Sequence, residues 1–205
     1  SAFLDIEEWQ DSRDHAQAAY ETHPLMNASQ MLAGFADPTG EWIFSLQYSS
    51  DDYLGYLFVH SFYDNRIIGY SSVRADVDFL ANYDIENDIR ADWFENDGSS
   101  FVLDQDGGKI EKYLHRSEWD MDEVLIRSAE MYLIEAEAEA QLGNYPEAQD
   151  ALFVIQGRSI PTAEKSTNTG NALLEEIYLE RRKELVGEGL RLFDIKRLEK
   201  PLERG

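Results

Sequence analysis

The sequence predicts a mainly α protein in which helical hairpins flank a long irregular insert containing short strands. Three observations carry that prediction. Apolar residues recur at helical spacing near the N-terminus and again beyond residue 121; two alanine-bearing helical stretches meet at Gly143-Asn144-Tyr145-Pro146; and residues 49–118 hold no sustained period. At 205 residues, 43% hydrophobic and 12% aromatic, the chain is long enough to bury a substantial core.

From the N-terminus, Phe3, Ile6, Trp9, Ala16, Ala19 and Tyr20 fall mostly at helical spacing and predict a helix over 3–20. Pro24 interrupts it, and 25–35 reads as a second, shorter helical piece before the turn residues Asp37-Pro38-Thr39-Gly40. Residues 41–48 are short, aromatic and β-branched, which predicts a strand in which Trp42 and Phe44 alternate with Ile43. The stretch 49–118 carries Tyr53, Tyr56, Phe58, Phe62, Tyr63, Tyr70 and Trp93 among many Asp, Asn, Ser and Gly residues. So many aromatics argue against disorder, and loops of this length are usually functional. Within it, Asp104-Gln105-Asp106-Gly107-Gly108 opens like a calcium loop. Gly108 stands where an oxygen ligand is required and no bidentate Glu follows, so a Gly-rich hairpin turn is expected instead.

Beyond Met121 the character changes. Leu125, Ala129, Tyr132, Leu133, Ala136 and Ala140 make one helical face, closed by Gly143-Asn144. Pro146 opens a second helix, where its missing N–H costs nothing; this helix presents Ala148, Ala151, Leu152 and Ile155 and is expected to end at Gly157. The pair predicts an αα-hairpin of tetratricopeptide type, its small residues letting the backbones approach. After a Thr- and Ser-bearing loop over 161–170, Asn171 is expected to cap a third helix whose face carries Leu174, Ile177, Tyr178, Arg181 and Leu185.

Charge bounds the function. With 18 basic against 41 acidic residues the formal charge is −23, a field that repels nucleic acid and anionic lipid. The absence of cysteine removes disulfides, thiolate metal sites and cysteine nucleophiles. No run of 18 apolar residues occurs. The opening SAFLDIEEWQ lacks a basic and then apolar leader and starts as though inside a helix, so a portion of a longer protein is expected.

One stretch concentrates opposite charges: ERRKELVGEGLRLFDIKR, residues 180–197, holds six basic and four acidic residues. Glu180, Glu184 and Glu188 stand at successive i,i+4 positions and repel one another. Arg181, with an i,i+3 partner in Glu184, and Arg191 offset part of this, and Arg127 is the leading cation from another element. If this face packs inward, the carboxylates must be paired. A glycosidase acid–base pair is the competing reading, but in so acidic a chain close carboxylates arise by chance. His15, His23, His60 and His115 are scattered, and neither a metalloprotease helix, a nucleophile elbow nor a P-loop is present.

These residues carry a specific likeness. Arg127-Ser128-Ala129-Glu130, Glu137, Gly143, Ala148 and Ala151-Leu152, followed by Glu180-Arg181-Arg182-Lys183-Glu184-Leu185, Glu188-Gly189, Arg191, Asp194 and Arg197, resemble the C-terminal half of the SusD/RagB family. Upstream, 41–45 resembles the family's strand before its irregular region, Asp88-Ile89-Arg90 its Asp-x-Arg element, and Lys112-Tyr113 its Lys-Tyr before the helical hairpin. The family's Leu-Asn-x-x-Arg is replaced by Leu152-Phe153-Val154-Ile155-Gln156, with Arg158 as a substitute cation.

The resemblance implies a SusD-like fold: the end of a helical scaffold over 1–40, an irregular, aromatic-rich binding region over 41–120, and the hairpin and tail over 121–200, as one domain. It further implies a non-enzymatic receptor of the Bacteroidetes outer membrane, without cofactor or metal, that holds glycan beside a SusC-like TonB-dependent transporter. Membrane attachment is expected only through a lipid anchor outside this chain. Sugar rings stack on aromatic side chains, so Tyr53, Tyr56, Phe62, Tyr63 and Tyr70 are the candidate ligand contacts. The competing reading is that each packs under its own loop. Trp9 is expected at a helix interface and Trp93 in a structural role. Arg127, Glu130, Glu180, Arg181, Glu184, Glu188, Arg191, Asp194 and Arg197 are expected to form an internal ion-pair network that never touches ligand. A scaffold role in the same complex, without ligand contact, is the alternative.

Overall fold

Helices make up about half of the described residues, and the strands between them are short. The computed structural model describes residues 2–35, 40–49, 51, 59–63, 73–113 and 121–202. In chain order the elements are α1 (Ala2–Asp5), α2 (Trp9–Tyr20), α3 (Ala28–Leu32), β1 (Trp42–Leu46), a 3-10 turn (Val59–Phe62), β2 (Arg74–Ala75), α4 (Val77–Leu80) and a second 3-10 turn (Ile89–Trp93). There follow β3 (Leu103–Asp104), β4 (Gly107–Lys109), β5 (Glu123–Arg127), α5 (Ser128–Leu142), α6 (Tyr145–Ser159), α7 (Gly170–Glu184) and α8 (Arg191–Arg197). Strands β1 and β5 form a two-stranded sheet, and β2, β4 and β3 a three-stranded one in that order. The fold is mainly α, as the periodicity predicts.

The chain divides into two compact units. The first comprises Ser1–Leu25, Gly40–Ile43 and Ile126–Gly205 and is organised by α5, which packs against α2, α6 and α7. One side of α5 gives Ala129, Leu133, Ala136 and Ala140 to a core completed by Ala148, Ala151, Leu152 and Ile155 of α6, Leu173 and Ile177 of α7, and Leu185. Another side sets Met131 and Ile134 against Leu4 and Ala16, with Trp9 packed at the edge of that cluster.

Helices buried on every side are normally apolar throughout. Here α5 buries Glu130, Glu135, Glu137 and Glu139 as well, and each carboxylate meets a donor. Glu135 accepts from Gln17 (2.7 Å) and from the Tyr20 hydroxyl (2.8 Å). Burial, reinforced by that bond to Glu135, raises the Tyr20 phenol above its ordinary value. Glu139 accepts from the Asn144 amide at 2.6 Å. Gly143 closes α5 at φ +84°, and Pro146 lies in the first turn of α6.

Several boundaries differ from the sequence expectation, each for a local reason. The helix expected over 3–20 is broken into α1 and α2, with Glu7 in the left-handed region at φ +61°. The piece over 25–35 is helical only for Ala28–Leu32, opened by a reciprocal Asn27–Gln30 capping box. Leu125 belongs to β5 and is exposed, so the hairpin's first helix begins only at Ser128. Gly157 does not end α6, which continues to Ser159 with the Phe153 ring close beside the glycine. Thr169, not Asn171, occupies the N-cap of α7, and its side chain makes no cap bond.

The second unit comprises Met26–Thr39 and Phe44–Leu125. Its core is aromatic. Phe94 meets Phe79, Tyr83 and Phe101 at centroid distances of 6.2, 5.0 and 6.0 Å. Buried Trp93 donates its indole N–H to the Met31 carbonyl (3.2 Å), in keeping with a structural role. Beside it, Arg90 grips Asp88 with two side-chain bonds of 2.9 Å, both residues fully enclosed. The Asp104–Gly108 stretch forms the expected hairpin: Leu103 faces Gly108 and Asp104 faces Gly107 across an antiparallel pair. Among the described residues no cluster of His, Asp or Glu is placed to hold a metal ion.

Gly107 sits at φ +121°, and a Cβ there would strike the Ala75 carbonyl of β2. Gly107→Ala is therefore expected to destabilise by more than about 2 kcal/mol, combining strain with a backbone clash. Thermal unfolding checks the magnitude, and loss of amide-exchange protection at Lys109 locates it.

Candidate functional site

Two features concentrate the chemistry: a buried charge network in the first unit and an aromatic assembly in the second. The network begins with Arg127, last residue of β5 and N-cap of α5. It is 1% exposed, and all five of its N–H donors find acceptors. Nη1 donates to Glu41 (2.7 Å) and Glu184 (2.8 Å). Nη2 donates to the Glu184 backbone carbonyl (2.9 Å) and to Glu188 (2.8 Å), and Nε reaches the other Glu188 oxygen (2.9 Å). Only a planar guanidinium offers that fork; a lysine could serve three acceptors at most.

Arg158 closes the figure. Its Nη1 donates to Glu41 at 3.0 Å and its Nη2 to Glu184. Arg127, Glu41, Arg158 and Glu184 thus alternate in sign around a closed ring drawn from β5, the residue before β1, α6 and α7. Burial opposes charge on Arg127, but Glu188, Glu184 and Glu41 outweigh it and hold the guanidinium well above its ordinary value. Each ion gives up several kcal/mol of hydration here, so the ring is stable only while complete.

A second chain of pairs joins α5, α7 and α8. Arg181 donates Nη2 to Glu130 (3.1 Å) and Nε to Asp194 (3.0 and 3.1 Å). Arg197 donates Nε to Asp194 (2.9 Å) and grips Glu137 through both terminal nitrogens, at 2.5 and 2.8 Å. Burial works against its charge too, while Glu137 and Asp194 raise it above the usual range.

Of the charged residues singled out in the sequence, Arg127, Glu184 and Glu188 meet in the first cluster, and Glu130, Arg181, Asp194 and Arg197 in the second. Glu180 is buried on α7. Two expectations change. Arg181 turns to Glu130 and Asp194 instead of its helical neighbour Glu184, whose carboxylate is taken by Arg127 and Arg158. Arg191 is exposed on the first turn of α8.

The charged stretch 180–197 does not point to Glu41 or Glu137, and Arg158 enters the sequence reading only as a substitute for the family's arginine. A signal for Arg158 existed: it is the only cation in α6, and three spaced carboxylates need more than Arg127. Glu41, hidden at the mouth of a strand, offered none.

Among the candidate ligand contacts, Tyr53, Tyr56 and Tyr70 lie outside the described residues. Phe62 ends the first 3-10 turn and is 38% exposed. Tyr63 follows it, half-buried, with its ring 5.5 Å from that of buried Tyr113 at 37°. Burial, and the nearby Glu123 carboxylate, push its phenol above the ordinary value. The structure therefore sets one exposed and one supported ring side by side.

A profile of the SusD family matches residues 101–204. Among solved structures, the chain is similar to a SusD-like carbohydrate binding protein from Bacteroides vulgatus, with 28% identity and a TM-score of 0.83 over 100% of this chain and 44% of that one. A putative sugar binding protein from the same organism gives 24% and 0.80 over 99% and 46%. A SusD homolog from Bacteroides thetaiotaomicron gives 21% and 0.74 over 96% and 46%, a likeness of fold alone. The chain thus spans about half the length of these structures. No curated protein matches it.

Removing Arg127 leaves three carboxylates without their main donor, so Arg127→Met is expected to cost about 3–5 kcal/mol. Arg127→Lys keeps the charge without the fork and falls between. Arg191→Ala, on the surface, changes stability by less than about 0.5 kcal/mol. Urea unfolding ranks the three; equal losses at 127 and 191 would contradict the network.

Proposed function

The chain belongs to the SusD family, and from that premise we propose that it is the glycan-binding, non-catalytic part of a cell-surface nutrient receptor. What carries the reading is the likeness along the whole chain to a protein described as a SusD-like carbohydrate binding protein. The receptor holds oligosaccharide for a SusC-like TonB-dependent transporter at the outer membrane.

The local chemistry supports this division of labour. The buried carboxylates of Glu41, Glu137, Glu184 and Asp194 are occupied by guanidiniums, which makes them poor candidates for the free acid and base of a hydrolase. Phe62 and Tyr63 instead offer apolar ring surface of the kind that takes the C–H face of a sugar. The α5–α6 hairpin, a form common in partner-binding scaffolds, favours a second reading: a scaffold in the same complex without ligand contact.

Affinity gels cast with starch, xylan, pectin or mannan distinguish the two. Retention by at least one is expected, and Phe62→Ala with Tyr63→Ala should weaken it about tenfold, in the range of one lost stacking contact. Binding to none of a wide glycan panel would overturn the receptor reading and leave the scaffold.

A further inference from the structure

The second unit encloses a lysine. Lys112 is 1% exposed, and its ammonium lies over three aromatic rings, 4.3 Å from the centroid of Trp93, 4.7 Å from Phe35 and 5.6 Å from Tyr113. The walls of this box are set edge to face: Phe35 meets Trp93 at 5.8 Å and 79°, and Tyr113 at 5.8 Å and 65°. The Trp93 wall is pinned by its bond to the Met31 carbonyl. The Tyr113 wall carries Tyr63 on its other contact, at 5.5 Å. A continuous line therefore runs from a fixed indole, through the ammonium and Tyr113, to a half-buried ring next to exposed Phe62.

We infer that Lys112 is a positioning residue: its charge orients Tyr113, and Tyr113 holds Tyr63 at the angle from which it meets a sugar ring. The inference rests on the proposed reading that Tyr63 contacts glycan. Its physical basis is the ring quadrupole. A cation is attracted to the face of an aromatic ring and not to its edge, so one ammonium among three rings fixes the tilt of each. Methionine fills nearly the same volume but exerts no such pull, and packing alone tolerates several tilts. Lysine, small and spherical in its charge, serves rings on three sides, where a planar guanidinium stacks best on one.

The test uses protein labelled with fluorotyrosine, the Tyr63 signal being the one lost in Tyr63→Phe. Lys112→Met is expected to keep the far-ultraviolet spectrum and a cooperative melt while shifting and broadening the Tyr63 fluorine signal. It should also weaken retention about fivefold on whichever of the starch, xylan, pectin or mannan gels retains the wild type, the size of effect expected from one partly lost contact. Lys112→Arg, which keeps the charge but stacks best on one ring, should recover only part of both. An unchanged Tyr63 signal together with unchanged retention in Lys112→Met overturns the inference. If Tyr63→Ala binds as well as the wild type, the glycan-contact reading fails by itself, and the fluorine signal still reports whether Lys112 sets the ring. Should Lys112→Met not fold, Tyr113→Leu removes the link between Lys112 and Tyr63 and carries the same expectations.

Discussion

The packing of the first unit depends on a buried guanidinium with every donor used. Arg127 stands where β5 becomes α5, and its five N–H groups tie the residue before β1, the end of α7 and the turn after it to a single point. Such a cluster is a poor source of net stability, since hydration lost by five ions offsets most of the Coulomb attraction. What it supplies is selectivity among arrangements. Apolar faces rich in alanine can slide past one another at little cost, whereas a ring of alternating charges has one register in which all members are satisfied. The second chain, from Glu130 through Arg181, Asp194 and Arg197 to Glu137, applies the same constraint to α8.

This also accounts for the composition of α5. Four glutamates on a helix enclosed by its neighbours would be prohibitive if each were unpaired. Gln17 and Tyr20, Asn144, Arg181 and Arg197 meet them from four directions, so the helix is polar in sequence and core in position.

Much of this was legible from residues alone because local rules and tertiary packing agree. The Gly143 stop, the Pro146 start, the 104–108 hairpin and the inward charges of α7 each follow from a residue whose preference nothing overrides. The misplaced boundaries show where they conflict. Leu125 fits the helical period but is claimed by a strand, and Gly157 stays helical because α6 packs as one rod through Ile155 to Ser159. Glu41 was not legible as a site residue, because its partners are 86 and 117 positions away and no local pattern encodes them. In the second unit, Trp93 was readable as structural, but the enclosure of Lys112 required the positions of Phe35 and Tyr113 together.

The central claim is that Arg127, Glu41, Arg158 and Glu184 act as one closed ring, and a double-mutant cycle on Arg158 and Glu41 tests it most directly. Arg158→Met, Glu41→Gln and the double variant are unfolded in urea alongside the wild type. If the ring is one unit, the single losses overlap strongly and the coupling energy exceeds about 1.5 kcal/mol. Losses that add, leaving coupling within about 0.3 kcal/mol of zero, would contradict it.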